Sequence, residues 1–210
     1  MQQQWVRFQE GDAVRFGTLE GERARVWHGN MFEYPQRGDR TVALVDVRLL
    51  TPVQPTKVIA LWNNFKALGE KLNLAVPAEP LYLVKTPNSY LEPGGTILHP
   101  GGAAKVVYEG ELGIVIGRAC KQVSEQDALR HVFGYTCAND VTVADILNRD
   151  TSFAQWVRAK SFDTFCPFGP AVATAGPKGQ KVSKPLARTH CAKEALRFRM
   201  SATVTSLAHV

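Results

Sequence analysis

The chain has no long apolar run: nothing in its 210 residues approaches the ~20 consecutive apolar positions that a membrane-crossing helix needs. Its first residues, MQQQWVRFQEGD, lack the basic start and apolar stretch of a secretion signal, so a cytoplasmic protein is expected. Its four cysteines, Cys120, Cys137, Cys166 and Cys191, have no CxxC spacing. That argues against a structural zinc site or a disulfide framework and leaves them as small buried residues, with only Cys166 near a polar cluster. Among the five histidines there is neither HxH nor HExxH. His131 reads as exposed on a helix, while His99, in ILHPGG, precedes the most strand-like segment and is placed to reach a site there. Internal repeats and low-complexity tracts are absent as well.

A charge imbalance is missing from most of the chain. The formal net charge is +6, yet residues 1–175 hold 18 Lys/Arg and 18 Asp/Glu, which cancel. The whole excess lies in residues 176–210, with seven basic residues against Glu194. Those charges lack interleaved aromatics and a recognisable motif, so nucleic-acid binding is not expected. Hydrophobic content of 45% and charged content of 21% are ordinary for a globular protein with one substantial core and a small appended domain.

What is present is dominated by strand patterns. WVRFQ, AVRFGTLEG, RARVWHG and TVALVDVRLL alternate apolar and polar residues between EGD, EGE and RGDR turns, which predicts a β-meander over the first 50 residues, within a small N-terminal domain of residues 1–55. The proline-bearing TPVQPTK marks a boundary, and residues 56–175 form a second unit. KVIALW reads as a short buried strand, and NNFKALGEKLNL as a helix with Phe65, Leu68 and Leu72 on one face. KVVYEGELGIVIGR is the strongest strand. Ser124 and Asp127 match a capping box that opens a helix stopped at Gly134. The fold class is therefore α+β and β-rich.

The chemistry concentrates in YEGELGIVIG. Residues two apart share a face of a strand, so Glu109 and Glu111 stand side by side with Gly110 turned away. One reading is an edge strand with both carboxylates solvated. Another is an acid/base pair for glycoside hydrolysis, which needs more aromatic sugar-binding residues. A third is a site for a hard cation such as Mg²⁺ or Mn²⁺, with Asp140 of CANDVT as the further carboxylate. Lys160, four residues after Trp156, is either a solvated lysine passing an apolar rim or the holder of a substrate carboxylate. Glu70, read alone, is solvent-exposed.

The order of motifs is more specific than any one of them. KTPNSY, GGTILHP, YEGELGIVIGRACKQV, GYTCANDVTVADI and WVRAKSFDTFCPFGP together resemble the fumarylacetoacetate hydrolase family, over roughly residues 55 to 172. Within it they are most similar to the bacterial 2-hydroxyhepta-2,4-diene-1,7-dioate isomerase and decarboxylase branch. The resemblance implies a mixed β-sheet roll or sandwich with a small N-terminal β domain. It implies Mg²⁺ or Mn²⁺ (Ca²⁺ in some members) held by Glu109, Glu111 and Asp140, with Lys160 contacting substrate oxygens. The implied reactions are C–C hydrolysis, decarboxylation or enol–keto isomerisation of 2-oxo acids and 1,3-dicarbonyl compounds, in aromatic-compound breakdown, by a homodimer.

Two departures bear on the reaction. The family's lid commonly reads NYxxHxxE. Here NNFKALGE keeps Glu70 as the catalytic acid but has Ala67 in place of the histidine. An arginine often found four residues after the metal-binding aspartate is Ala144. Both favour decarboxylation or isomerisation over hydrolysis. The family's Gly-Thr-rich substrate loop has no counterpart in residues 176–210, which are expected to leave the fold incomplete. The alternative function is that of a non-catalytic relative.

Overall fold

The computed structural model describes residues 3–150, 152 and 154–174. The expectation for residues 176–210 therefore lies outside the described residues.

The N-terminal meander is built as the alternation predicts. Strands β1 (Gln4–Glu10), β2 (Ala13–Glu20), β3 (Arg23–Asn30) and β4 (Glu33–Ala43) pair in sequence order, and β5 (Arg48–Leu50) returns to pair with β1. Gly11 and Gly21 sit in the two-residue turns at φ +57° and +63°, the left-handed values such tight hairpins demand. Val6 and Phe8 point to one face of β1 and join Ala24, Val26 and Val42 in a buried cluster. On the other face Trp5 packs on Trp27 and Phe133 at ring-centroid distances of 4.9 and 6.1 Å. Burial on both faces suits a strand at the centre of a sheet.

The second segment contributes β6 (Val58–Trp62), α1 (Lys66–Lys71), β7 (Leu81–Lys85), β8 (Tyr90–Leu91), β9 (Val106–Val107) and β10 (Gly110–Ile116). It continues with α2 (Glu125–Ala128), β11 (Val132–Asn139), β12 (Thr142–Val143), α3 (Ala144–Arg149), α4 (Ala154–Lys160), β13 (Cys166–Pro167) and β14 (Ala171–Thr174). Through β14 the two segments share one eight-stranded antiparallel sheet of order β10-β11-β14-β1-β2-β3-β4, with β5 beside β1. The architecture is the β-rich α+β fold the sequence suggests.

Several local expectations are corrected. KVIALW is not buried: Ile59 and Leu61 on β6, with their cross-strand partners Val84 and Tyr82 on β7, form an exposed apolar face. Phe65, Leu68 and Leu72 are exposed as well, because no described element packs on that side of α1. Ser124 does cap α2, its Oγ accepting from the Asp127 N–H at 3.3 Å. Gly134, however, lies inside β11, where a Cβ would stand 2.2 Å from the Ala173 carbonyl oxygen of β14. It is a close-approach glycine and not a helix stop. His131 is half-buried. Cys166 is buried and Cys120 is exposed, so one of these two is the buried thiol expected, and Cys191 lies outside the described residues.

A second core positions the site. Val141, Val143, Ile146, Ala159 and Phe165 are buried together, with Phe162 and Val106 packed against them. Full burial of a side chain such as Phe165 is worth on the order of 2 kcal/mol. The cluster clamps β12, α3, α4 and the loop before β13, so the residues interleaved with it, Thr142 and Lys160, are held rigidly.

Candidate functional site

KVVYEGELGIVIGR forms two strands in one register. β9 pairs with β12 (Val106↔Val143, Val107↔Thr142), and β10 pairs with β11 (Gly110↔Asn139, Glu111↔Ala138). Between the two ladders, the Asp140 N–H donates to the Glu109 carbonyl at 2.9 Å. Glu109 thus stands opposite Asp140, and opposed residues of antiparallel strands share a face. Because the register never slips across the gap, Glu111 stays on that face too. Three carboxylates converge at one end of the β10–β11 ladder.

Two lysines answer them from other elements. Lys160, the last residue of α4, is 2% exposed. Its Nζ donates to Glu109 Oε1 and Oε2 at 3.0 Å, to Asp140 Oδ2 at 2.9 Å and to Thr142 Oγ1 at 2.7 Å. Four acceptors around three N–H groups mean that the Glu109 carboxylate shares one proton between its oxygens. Trp156, one turn earlier, places its ring 5.8 Å from the ammonium and is itself braced by Trp62 at 5.0 Å. Lys85, at the end of β7, is 1% exposed and donates to Asp140 Oδ1 at 2.5 Å and to the Phe165 carbonyl at 3.1 Å.

Glu111 is left over. Among the described residues its carboxylate makes no hydrogen bond or ion pair. Burial, then the charges of Glu109 and Asp140, push its pKa up to about 7, against a smaller opposing pull from Lys160. The donor chemistry, three carboxylates with one uncompensated, suits a hard divalent cation. Among the described residues no three such side chains already form a closed metal cage. The Lys160 ammonium lies between Glu109 and Asp140 instead.

The structure therefore brings together Glu109, Glu111, Asp140 and Lys160. It does not bring Glu70 to them: that side chain is exposed on α1 and makes no hydrogen bond or ion pair among the described residues. His99 is exposed, its Nδ1 3.1 Å from the Pro100 carbonyl oxygen. Cys166 lies close by, but burial pushes its thiol up to about 11, so it remains protonated. Sequence reasoning missed Lys85 and Thr142. Lys85 carried a signal, since it shares the inward phase of β7 with Leu81 and Leu83 while Tyr82 and Val84 point out.

The fumarylacetoacetate hydrolase C-terminal profile matches residues 57–204, and an Rv2993c-like N-terminal profile matches residues 4–52. The chain belongs to the fumarylacetoacetate hydrolase family. Protein Rv2993c of Mycobacterium tuberculosis is 37% identical over 175 residues, 80% of this chain and 65% of that protein. The mitochondrial oxaloacetate tautomerase of Xenopus laevis is 38% identical over 130 residues, 61% of this chain and 40% of its own length. The solved 2-hydroxyhepta-2,4-diene-1,7-dioate isomerase of Mycobacterium marinum superposes with a TM-score of 0.71 at 36% identity, covering 83% of this chain and 67% of that one. The chain thus spans only part of the curated relatives it matches. The relatives thus include an isomerase and a tautomerase.

Proposed function

We propose that the chain carries out a divalent-metal-dependent conversion of a 2-oxo acid or acylpyruvate-like compound, with enol–keto tautomerisation or decarboxylation favoured over hydrolysis. The observation that carries this reading is the face shared by Glu109, Glu111 and Asp140, with Glu111 uncompensated and Lys160 beside it. Similarity to an oxaloacetate tautomerase and a dienedioate isomerase supports the reaction class.

Glu109, Glu111 and Asp140 would hold Mg²⁺ or Mn²⁺. When bound, such an ion is a Lewis acid that stabilises the enolate of a 2-oxo acid. Holding it asks Lys160 to release the Glu109 oxygens, which frees N–H donors for the substrate's carboxylate or enolate oxygen. The ammonium keeps its place through Thr142 Oγ1 and the Trp156 ring, in a surround dry enough to make each donor strong. Glu70 is assigned proton transfer at the substrate carbon, which requires α1 to close over the cluster. Ala67 beside it offers no imidazole to activate water, consistent with a reaction that consumes none. We place the protein in the cytoplasm, as a homodimer acting in aromatic-compound catabolism. The exposed face of Ile59, Leu61, Tyr82 and Val84 supports self-association.

Oxaloacetate enol–keto conversion, oxaloacetate decarboxylation and acylpyruvate cleavage, measured side by side with saturating Mn²⁺, test the reading. Tautomerisation or decarboxylation should dominate. Faster conversion of the acylpyruvate to two acids overturns the preference. Silence on every substrate favours the non-catalytic alternative.

A further inference from the structure

The geometry points to Lys85 as a positioning residue that fixes the rotation of the Asp140 carboxylate. Asp140 divides its two oxygens between two lysines: Oδ1 receives Lys85 Nζ at 2.5 Å, and Oδ2 receives Lys160 Nζ at 2.9 Å. A carboxylate held from both sides cannot turn about its last bond. Lys160 faces the cluster and competes for the oxygens that a cation or substrate would address. Lys85 takes one oxygen and leaves Oδ2 to the Lys160 ammonium that also serves Glu109.

Lys85 acts through Asp140 because that carboxylate is the one charged hydrogen-bond partner of its ammonium among the described residues. It is 1% exposed, so no substrate atom can touch it in this arrangement. Its second bond, to the Phe165 carbonyl at 3.1 Å, ties β7 to the loop before β13, 80 residues later in the chain. Phe165 is itself fully buried in the core cluster beneath the site. The ammonium is therefore anchored by a rigid carbonyl and aimed at one carboxylate oxygen. A lysine at an inward strand position is costly unless paired, and this one is paired with the one carboxylate of the cluster that comes from the β11–β12 connection. The inference rests on the reading of Asp140 as part of the metal- and substrate-holding cluster.

Lys85→Met removes the donor and the charge, whereas Lys85→Gln removes the charge and keeps an N–H donor. In the full chain, calorimetric titration with Mn²⁺ should show about 10- to 100-fold weaker binding for Lys85→Met, the usual effect of losing a partner behind a metal ligand. Lys85→Gln should recover much of that loss. A Lys85→Met protein that binds Mn²⁺ within twofold of wild type overturns the inference. So does equal impairment of both variants, which would mean charge and not orientation. A metal-free arm keeps the two readings apart. In EDTA, Lys85→Met should lower the urea midpoint in the wild-type background and lower it less, or raise it, in Asp140→Asn. Equal cost in both backgrounds also overturns the inference, as does failure of both Lys85 variants to fold, since such a lysine would be a strut of the fold. Absence of Mn²⁺ binding by wild type removes the metal reading alone, and the cycle still decides whether Lys85 acts through Asp140.

Discussion

Glu111→Gln separates a metal-holding carboxylate from a solvated one. In the metal-free protein the Glu111 carboxylate is pushed from its ordinary 4.5 to about 7 by burial and by Glu109 and Asp140. A carboxylate whose folded pKa lies above its unfolded value costs nothing below pH 4.5. The cost grows as pH rises and is complete above about 7. At ~1.4 kcal/mol per unit the shift corresponds to about 3 kcal/mol, and solvent screening of a half-buried group reduces that to about 1–2 kcal/mol. At pH 8 in EDTA, Glu111→Gln should therefore be more stable than wild type by that amount, or about 3–6 °C in Tm for a chain of this size. At pH 5 the gain should shrink towards zero. Adding Mn²⁺ at pH 8 should invert the order, because wild type gains by mass action and the variant has lost a ligand. Urea and thermal melts in these three conditions read all of this. If the variant is less stable than wild type in EDTA at pH 8, or keeps the Mn²⁺ shift, the assignment of Glu111 is wrong.

Lys160→Met should cost about 3 kcal/mol in EDTA, since it leaves Asp140 and Glu109 without their shared cation. Mn²⁺ should bind it at least as tightly as wild type while turnover is lost, and weaker Mn²⁺ binding would refute competition between ammonium and metal. Gly134→Ala should destabilise by about 3 kcal/mol or more, because its Cβ meets a backbone oxygen at 2.2 Å that no side-chain movement relieves. A urea midpoint unchanged from wild type would refute the close approach. Iodoacetamide at pH 8 should label Cys120 rapidly and Cys166 only after unfolding, as exposure of one thiol and burial of the other require. Peptide mapping by mass spectrometry checks it, and early labelling of Cys166 would contradict its place in the structure.

The part of the site that lies within one extended segment was legible from the sequence, because a two-residue period needs no partner. Glu109-Gly110-Glu111 is such a case. Asp140 could be nominated from its apolar surroundings, but its place opposite Glu109 depends on the register of β10 against β11, which local sequence does not encode. The same limit explains the errors. Gly134 has the look of a helix stop until β14 is laid beside it. Leu68 and Leu72 have helical spacing, yet spacing says nothing about whether another element covers that face. Lys85 is readable by phase alone, although lysine on a strand is ordinarily solvated.

Charge balance links these details to the choice of substrate. The cluster sets three carboxylates against two ammonium groups, and the odd carboxylate, Glu111, is the one driven towards protonation. On the proposed reading a divalent cation turns this single negative excess into a single positive one. A 2-oxo acid brings one carboxylate beside its carbonyl, which restores neutrality around two ammonium groups that are themselves fully buried. A second carboxylate, as in oxaloacetate, must then reach solvent or a further cation. The neutral amide of a 2-oxo acid should bind far more weakly than the acid in the presence of Mn²⁺, and competition titration compares them directly. Equal affinity for amide and acid would show that Lys160 serves the fold and not the substrate.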